Sequence, residues 1–369
     1  MKKILIGSLI FFGSIHLMNV SHNCYSQSIP RVKIIGKVVD GSNGKPIHFA
    51  NVFLANTTMG CATDKNGIFS IVNVPLGTYE LVVSMIGYEP ATMEIRLKEG
   101  KPEEFKLRLK PKVLQAPRIE VEAPYPHEWR RHLQTFKKQF IGTSSNASHC
   151  KILNPEVLDF NLDVKTQALK AKASETLQIE NRALGYRIYF LLNDFTYRND
   201  GSITYQGQPR FEEFSPKNEK EEKNWRENRR QAFNGSLRHF LHAAAIGDFE
   251  DEGFFVSILL NLVEGNDRLY KYRTLADDLL SSGEREFERI LSFPYYLRVI
   301  YNKEEEPLEF SVNPTVTQTS WLHMSQGIDV TINTSGHIYN PFALTTYGYW
   351  AWERIAEALP LDYLPDEAE

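Results

Sequence analysis

From Val32 to Leu109 the chain alternates apolar and polar residues with a period of two. Tyr79, Leu81, Val83 and Met85 alternate with Thr78, Glu80, Val82 and Ser84. Further on, Met93, Ile95 and Leu97 alternate with Glu94 and Arg96, and Phe105, Leu107 and Leu109 with Glu104, Lys106 and Arg108. Successive side chains of a strand point to opposite faces, so each run predicts a strand with one dry and one wet face. The dry faces require a second layer. Turn residues punctuate the runs at DGSNGKP (40–46), DKNG (64–67), PLG (75–77) and GYEP (87–90). About seven short strands in some eighty residues predict a small antiparallel β-sandwich. The runs on either side of PLG read as a hairpin within it.

The pattern changes after Lys110. Pro111, Pro117, Pro124 and Pro126 oppose helix and predict an extended linker over 111–126, stiff enough to limit the orientations of the domains it joins. Residues 127–142 then predict a helix with Trp129, Leu133, Phe136 and Phe140 on one face. Strand-like LDFNLDV, ALKAKAS, LGYRIYFLL and GSITYQGQPRFEEF follow. Helical runs come next at 218–233 and 236–247, where Asn234 or Ser236 is placed to cap the second. FFVSILL, YYLRVIY and GIDVTINTSGHIYN, the last with a turn at Ser335 and Gly336, are further strands. The expectation for 127–369 is a β-rich α+β domain.

At the N-terminus Lys2 and Lys3 precede an apolar run from Ile4 to about Met18 and then a polar stretch with small residues, the layout of a secretory leader. The run is shorter than the roughly 20 residues of a membrane-spanning helix, so a leader over 1–26, cleaved near Ser26, is expected rather than an anchor. Lipidation at Cys24 is not expected, because His22 and Asn23 stand where a lipobox has small residues. No later stretch is long and apolar enough to span a bilayer, and the leader predicts export, with the periplasm or outer membrane as the expected destination. The chain has 369 residues and a formal net charge of -4, which offers no basic excess for a phosphate backbone, so nucleic acid is not an expected partner. Cleavage would leave Cys61 and Cys150, either as unpaired thiols or as a disulfide, in a compartment where bridges persist.

The segment IIGKVVDGSNGKPIHFANVFLANTTMGCATDKNGIFSIVNVPLGTYELVVSMIGY carries G-x-V-x-D, G-x-P-I-x-x-A-x-V, T-D-x-x-G-x-F, P-x-G-x-Y and S-x-x-G-Y. On these motifs residues 31–110 resemble the carboxypeptidase regulatory-like domain, a transthyretin-like sandwich. The resemblance implies the fold and no single activity, since this module is attached to many proteins, including the periplasmic ends of TonB-dependent outer-membrane transporters. LGYRIYF, YQGQPRFEE, NWRENRRQAFNGSLRHFL and YGYWAWERIAEALPLDYLP resemble the uncharacterised region that follows this domain in a group of exported bacterial envelope proteins.

The family name directs attention to metallopeptidase chemistry. Zinc carboxypeptidases use His-x-x-Glu, and none of the ten histidines here has Glu three positions on. His239 and His242 in HFLH read as an amphipathic helix, and DKNG as a tight turn rather than a calcium loop. GxSxG, P-loop and GxGxxG patterns are missing, and no cofactor or metal is expected. One constellation remains: Trp225, Arg226, Arg229, Arg230, Arg238 and His239, followed by Asp248, Glu250, Asp251 and Glu252. It reads either as an anion-binding helix pair beside carboxylates that act on an envelope polymer, or as solvated faces with internal ion pairs and Trp225 in the core. The second reading is preferred. Tyr88 at a loop tip and Tyr125 in the linker are candidate rings for stacking on a sugar or a protein, or else buried turn residues.

The expectation is thus a non-catalytic exported envelope protein, whose sandwich is a docking or scaffold module for a protein or glycan partner. The binding candidates are Tyr88, Tyr125, Trp225, Arg226, Arg229, Arg230 and His239. Two alternatives stand beside it: an envelope hydrolase in which Arg226, His239 or Glu250 converge, and a carbohydrate-binding sandwich.

Overall fold

The structure, a computed structural model, describes residues 30–98, 103–112, 126–262, 269–311, 316–325, 328 and 330–365. The expected leader, Cys24, Tyr125 and residues 113–125 of the linker lie outside the described residues.

The N-terminal unit has the seven strands expected: β1 (Arg31–Asp40), β2 (Asn51–Leu54), β3 (Gly60–Ala62), β4 (Ile68–Pro75), β5 (Gly77–Ser84), β6 (Ala91–Leu97) and β7 (Glu103–Leu109). They form two sheets of order β4-β1-β7 and β3-β2-β5-β6 around a core that includes Ile34, Val38, Val52, Phe69, Leu81 and Leu107. The expected hairpin across PLG does not form. β4 pairs with β1, and β5 with β2 and β6, so the turn carries the chain from one sheet to the other. This crossing lets Phe69, Ile71 and Val74 of β4 share a core with Leu81 and Val83 of β5, so two dry faces cover each other.

Asp40 closes the DGSNGKP turn. Its Oδ1 accepts from the Ser42 backbone N–H (2.7 Å) and hydroxyl (2.5 Å), and its Oδ2 from the Tyr88 hydroxyl (2.9 Å). The Ser42 hydroxyl and N–H, then Tyr88 and the Asn43 N–H, lower the Asp40 pKa to about 2. Because the folded pKa lies below the unfolded one, this contribution to stability is complete above about pH 4 and is lost as the pH falls towards 2. Asp40→Asn is expected to lower the melting temperature at pH 7. Thermal melts from pH 7 to 2 should show the gap to wild type closing in that acid window.

The C-terminal half opens with α1 (His127–Phe136), whose Phe136 stacks on Phe140 with ring centroids 4.8 Å apart. Strands β8 (Cys150–Ile152), β9 (Leu158–Leu162), β10 (Leu169–Ala173), β11 (Leu177–Asn181), β12 (Tyr186–Tyr197) and β13 (Ile203–Glu213) form one sheet. β12 is its hub: it pairs with β13 along its length and with β11 and β10 at its two ends. Helices α2 (Glu219–Phe233) and α3 (Leu237–Ile246) follow. The cap of α3 is Ser236, which accepts from the His239 N–H at 3.1 Å. Next come β14 (Phe254–Leu259), β15 (Leu269–Lys271), α4 (Ala276–Leu279), β16 (Leu280–Ser282), β17 (Glu288–Leu291), β18 (Tyr296–Glu305), β19 (Thr317–Met324), β20 (Val330–Asn333), β21 (Leu344–Gly348) and α5 (Tyr349–Trp352). They make a five-stranded sheet, β15-β14-β18-β19-β21, and a three-stranded one, β16-β17-β20, which share one core with α3.

The face of β5 expected to be wet is dry. Thr78 is 4% exposed and Val82 0%, and Phe53 on neighbouring β2 is 3% exposed. Phe53, Ala55 and Val82 pack against Leu191 of β12 in a small core between the two halves. Backbone bonds extend this contact. The β2–β3 turn lies along the β13 edge, with Asn56 N–H donating to Pro209 O (2.7 Å) and Phe211 N–H to Thr57 O (2.9 Å). Leu361 N–H then donates to Asn56 O (2.7 Å). An edge strand left bare invites pairing with another chain, and the sandwich covers part of this one. The two halves are therefore held by direct packing, beyond any restraint from the linker.

Cys61 on β3 and Cys150 on β8 are free thiols in separate units, so the disulfide alternative does not form. Burial pushes both thiols up, Cys150 to about 12. Among the described residues, no helix is long and apolar enough to cross a membrane.

Candidate functional site

Helix α2 starts at Asn218, whose side chain accepts from the Glu221 N–H at 3.0 Å, and the acidic first turn and Arg230 in the last turn match the helix dipole. Its basic residues do not gather. Arg226 is exposed and pairs with Glu222 one turn back (3.4 Å), and Arg230 with Glu227 (4.0 Å). Arg229 turns inward: its Nε donates to Leu184 O (2.7 Å), its guanidinium lies 4.1 Å from the Tyr186 ring centroid, and it pairs with Glu213.

Trp225 is buried, and its indole N–H donates to Arg182 O at 2.9 Å. The ring rests on Gly185, which has φ +73° and where a Cβ would come within 2.4 Å of the indole. Trp225 is thus a core residue. Trp225→Ala is expected to cost about 3–5 kcal/mol by urea denaturation.

On α3, His239 is buried, and its Nδ1 accepts from the Gly235 N–H at 3.1 Å. The ring proton therefore sits on Nε2, 3.3 Å from Glu252. Burial pushes His239 down to about 4 against the opposing pull of Glu252. His242 bonds instead to Thr334 O through Nδ1, so the two histidines serve different partners. Arg238 spends its guanidinium on backbone carbonyls, with Nε to Ser335 O (3.1 Å), Nη1 to Pro360 O (2.7 Å) and Nη2 to Leu361 O (2.8 Å) and Tyr363 O.

In the acidic loop, Glu250 forms two bonds to Arg273 (2.9 and 2.6 Å), while burial and the Asp251 carboxyl raise Asp248. A depression of about 240 Å³ there is lined by Asp248, Glu250, Asp251 and Asp277, but not by Arg226 or His239. A raised carboxyl also lies elsewhere: Glu353 is held well above the usual range by burial and then by Glu357 and Glu304. Tyr88, the loop-tip candidate, is half-buried and turned onto Asp40.

A cluster of aromatic side chains lies on the five-stranded sheet. Phe254, Val256, Leu297, Val299, Tyr301 and Leu322 occupy its inner face. The alternate positions of β18, β19 and β21 occupy the other face, where aromatic residues stand beside Arg298, while Ser257 and Leu259 of β14 on the same face are fully buried. Arg298 of β18, Trp321 of β19 and Tyr347 of β21 are directly opposite one another across three strands. Neighbouring strands lie about 4.8 Å apart, so this row spans roughly 10 Å. Two residues along β18, Tyr296 contacts His323 (4.8 Å) and Tyr347 (6.2 Å). All five side chains are half-buried. Gly348 has φ +69°, and a Cβ there would come within 2.6 Å of the Trp321 ring, so the glycine lets the indole lie down beside β21. The strand period was visible in YYLRVIY, and SWLHM has the same alternation. Aromatics on the outward positions hide the wet-and-dry contrast that would have marked this face.

Residues 34–121 match the family model of the CarboxypepD_reg-like domain. The N-terminal sandwich is a carboxypeptidase regulatory-like domain. No curated protein matches the chain. Among solved structures, the chain is similar to the pilus 2b backbone protein of group B streptococcus, with 19% identity over 22% of this chain and 42% of that one and a TM-score of 0.20. It is similar to a cohesin–X-dockerin complex from Acetivibrio cellulolyticus, with 26% identity over 21% and 52% and a TM-score of 0.17. A third likeness is to a Bacteroides uniformis protein provisionally described as carbohydrate binding, with 10% identity over 48% and 79% and a TM-score of 0.19. The chain spans about half or less of the first two.

Proposed function

We propose that the chain is a non-catalytic, exported envelope protein that binds a ligand of the cell envelope on the outer face of the five-stranded sheet. In this reading the regulatory-like domain is the scaffold module that holds the C-terminal half. One observation carries it: Arg298, Trp321, Tyr347, Tyr296 and His323 stand together on a sheet face whose opposite side is the core. Aromatic rings give large contact area at little entropic cost, and with Arg they dominate binding surfaces. The basic and acidic run of α2 and α3 is spent on local pairs and on the backbone, which speaks against both an anion site and an acid–base role there. The leader-like first 26 residues support export.

The test is crosslinking in cells of the tagged chain, followed by fractionation. The expected result is a crosslinked species in the envelope fraction that disappears in the Trp321→Ala, Tyr347→Ala double variant and persists in Arg226→Ala. Crosslinking that is indifferent to the double variant would rule out this face.

A further inference from the structure

Arg298 is the one charged side chain at the centre of this aromatic face, and its fork is open. Its Nε donates to the Ser257 hydroxyl at 3.0 Å, which fixes the direction of the guanidinium. Among the described residues, neither Nη1 nor Nη2 has a hydrogen-bond or carboxylate partner. The other basic side chains near the candidate regions differ, because Arg226, Arg229, Arg230 and Arg273 each face a glutamate. The residues opposite Arg298 are Ser257 and Trp321, and those opposite Tyr296 are Leu259 and His323, so no carboxylate faces it across either neighbouring strand.

We infer that this face binds an anionic glycan, a polymer bearing uronic acids, with Arg298 taking the carboxylate and Trp321 and Tyr347 stacking on the sugar rings. The inference rests on the proposed function above and names its ligand class. The charge on the protein side is a cation without a counterion, so the complementary ligand is an anion. Two free NH2 groups on a planar fork match the two oxygens of a carboxylate. The carbon-bound hydrogens on a sugar ring face are weakly positive and favour the negative face of an indole or phenol. A row of roughly 10 Å, set by strand spacing, suits consecutive sugars of a chain rather than a single small anion.

The experiment is affinity electrophoresis of the whole chain without residues 1–26 through gels containing polygalacturonate, alginate or hyaluronate, with methyl-esterified polygalacturonan as the uncharged control. Retardation is expected in at least one uronate gel and not in the esterified one, weakening as salt is added. Arg298→Ala should weaken binding about ten- to a hundredfold, Arg298→Lys should restore part of it, and Trp321→Ala should remove it. Arg226→Ala should leave it unchanged. Circular dichroism confirms that each variant is folded. Equal retardation by the esterified polymer, or an Arg298→Ala variant that binds as wild type does, would overturn the acidic-glycan inference and leave the binding face standing. No retardation in any uronate gel would also overturn it. The face itself then succeeds or fails on the crosslinking described above.

Discussion

Val82→Asp is expected to separate the unfolding of the two halves. In the wild-type chain, Val82 and Phe53 lie in the dry contact with Leu191, and Thr57 and Asn56 are bonded to the β13 edge. The sandwich and the C-terminal half should therefore unfold together. All five tryptophans, Trp129, Trp225, Trp321, Trp350 and Trp352, belong to the C-terminal half, so fluorescence reports that half alone while circular dichroism reports both. In urea, the two signals should coincide for wild type and part for Val82→Asp, because an unpaired carboxylate cannot stay in that contact without a cost of several kcal/mol. Phe53→Ala acts in the same direction by leaving a cavity and should cost about 3–5 kcal/mol. Coincident transitions in Val82→Asp at wild-type stability would mean that the contact contributes nothing.

Arg238→Ala should be as damaging to the C-terminal half as Trp225→Ala. The guanidinium is nearly buried, and burial pushes its pKa down to about 10, so it stays charged at neutral pH. It donates to carbonyls at Ser335, Pro360, Leu361 and Tyr363 and so ties the C-terminal segment to α3. That segment also reaches the sandwich, where Asp362 accepts from the Thr58 N–H at 2.9 Å. Removing the fork orphans several carbonyls at once, for an expected loss of about 3–5 kcal/mol in urea denaturation. Limited proteolysis should then cut first within 358–365. Arg238→Lys should recover only part of the loss, since one ammonium cannot span the four acceptors.

The sandwich was legible because its dry positions alternate and its turns carry Gly, Asn, Asp and Pro at the reversals. Its connectivity was less so. PLG reads the same whether the chain turns back beside itself or crosses to the facing sheet, and only the partners of β4 and β5 decide which. The outer face of β5 was misread because Thr78 and Glu80 are polar, yet both find bonds across the interface: Gln208 donates to Glu80 at 3.2 Å and Thr78 to Glu288 at 3.5 Å. A buried face built from bonded polar residues has the sequence of a wet one.

In α2, the basic run left an anion site open beside the preferred reading of internal ion pairs, because sequence shows charge but not its partners. Glu222 and Glu227 sit one turn from Arg226 and Arg230, and local pairs of this kind absorb such runs. Arg298 went unnoticed for the converse reason. It is a lone basic residue in an apolar strand, and its freedom appears only when the neighbouring strands prove to carry no acid opposite it.

Site-specific photo-crosslinking in cells distinguishes a C-terminal sheet face that meets the ligand from a sandwich that does so. The crosslinking residue is placed at Thr345, exposed on β21 beside the aromatic row, or at Ile86, 86% exposed at the tip of the sandwich. An envelope adduct is expected from position 345 and none from 86. An adduct from 86 alone would make the sandwich the docking module and contradict the proposed function.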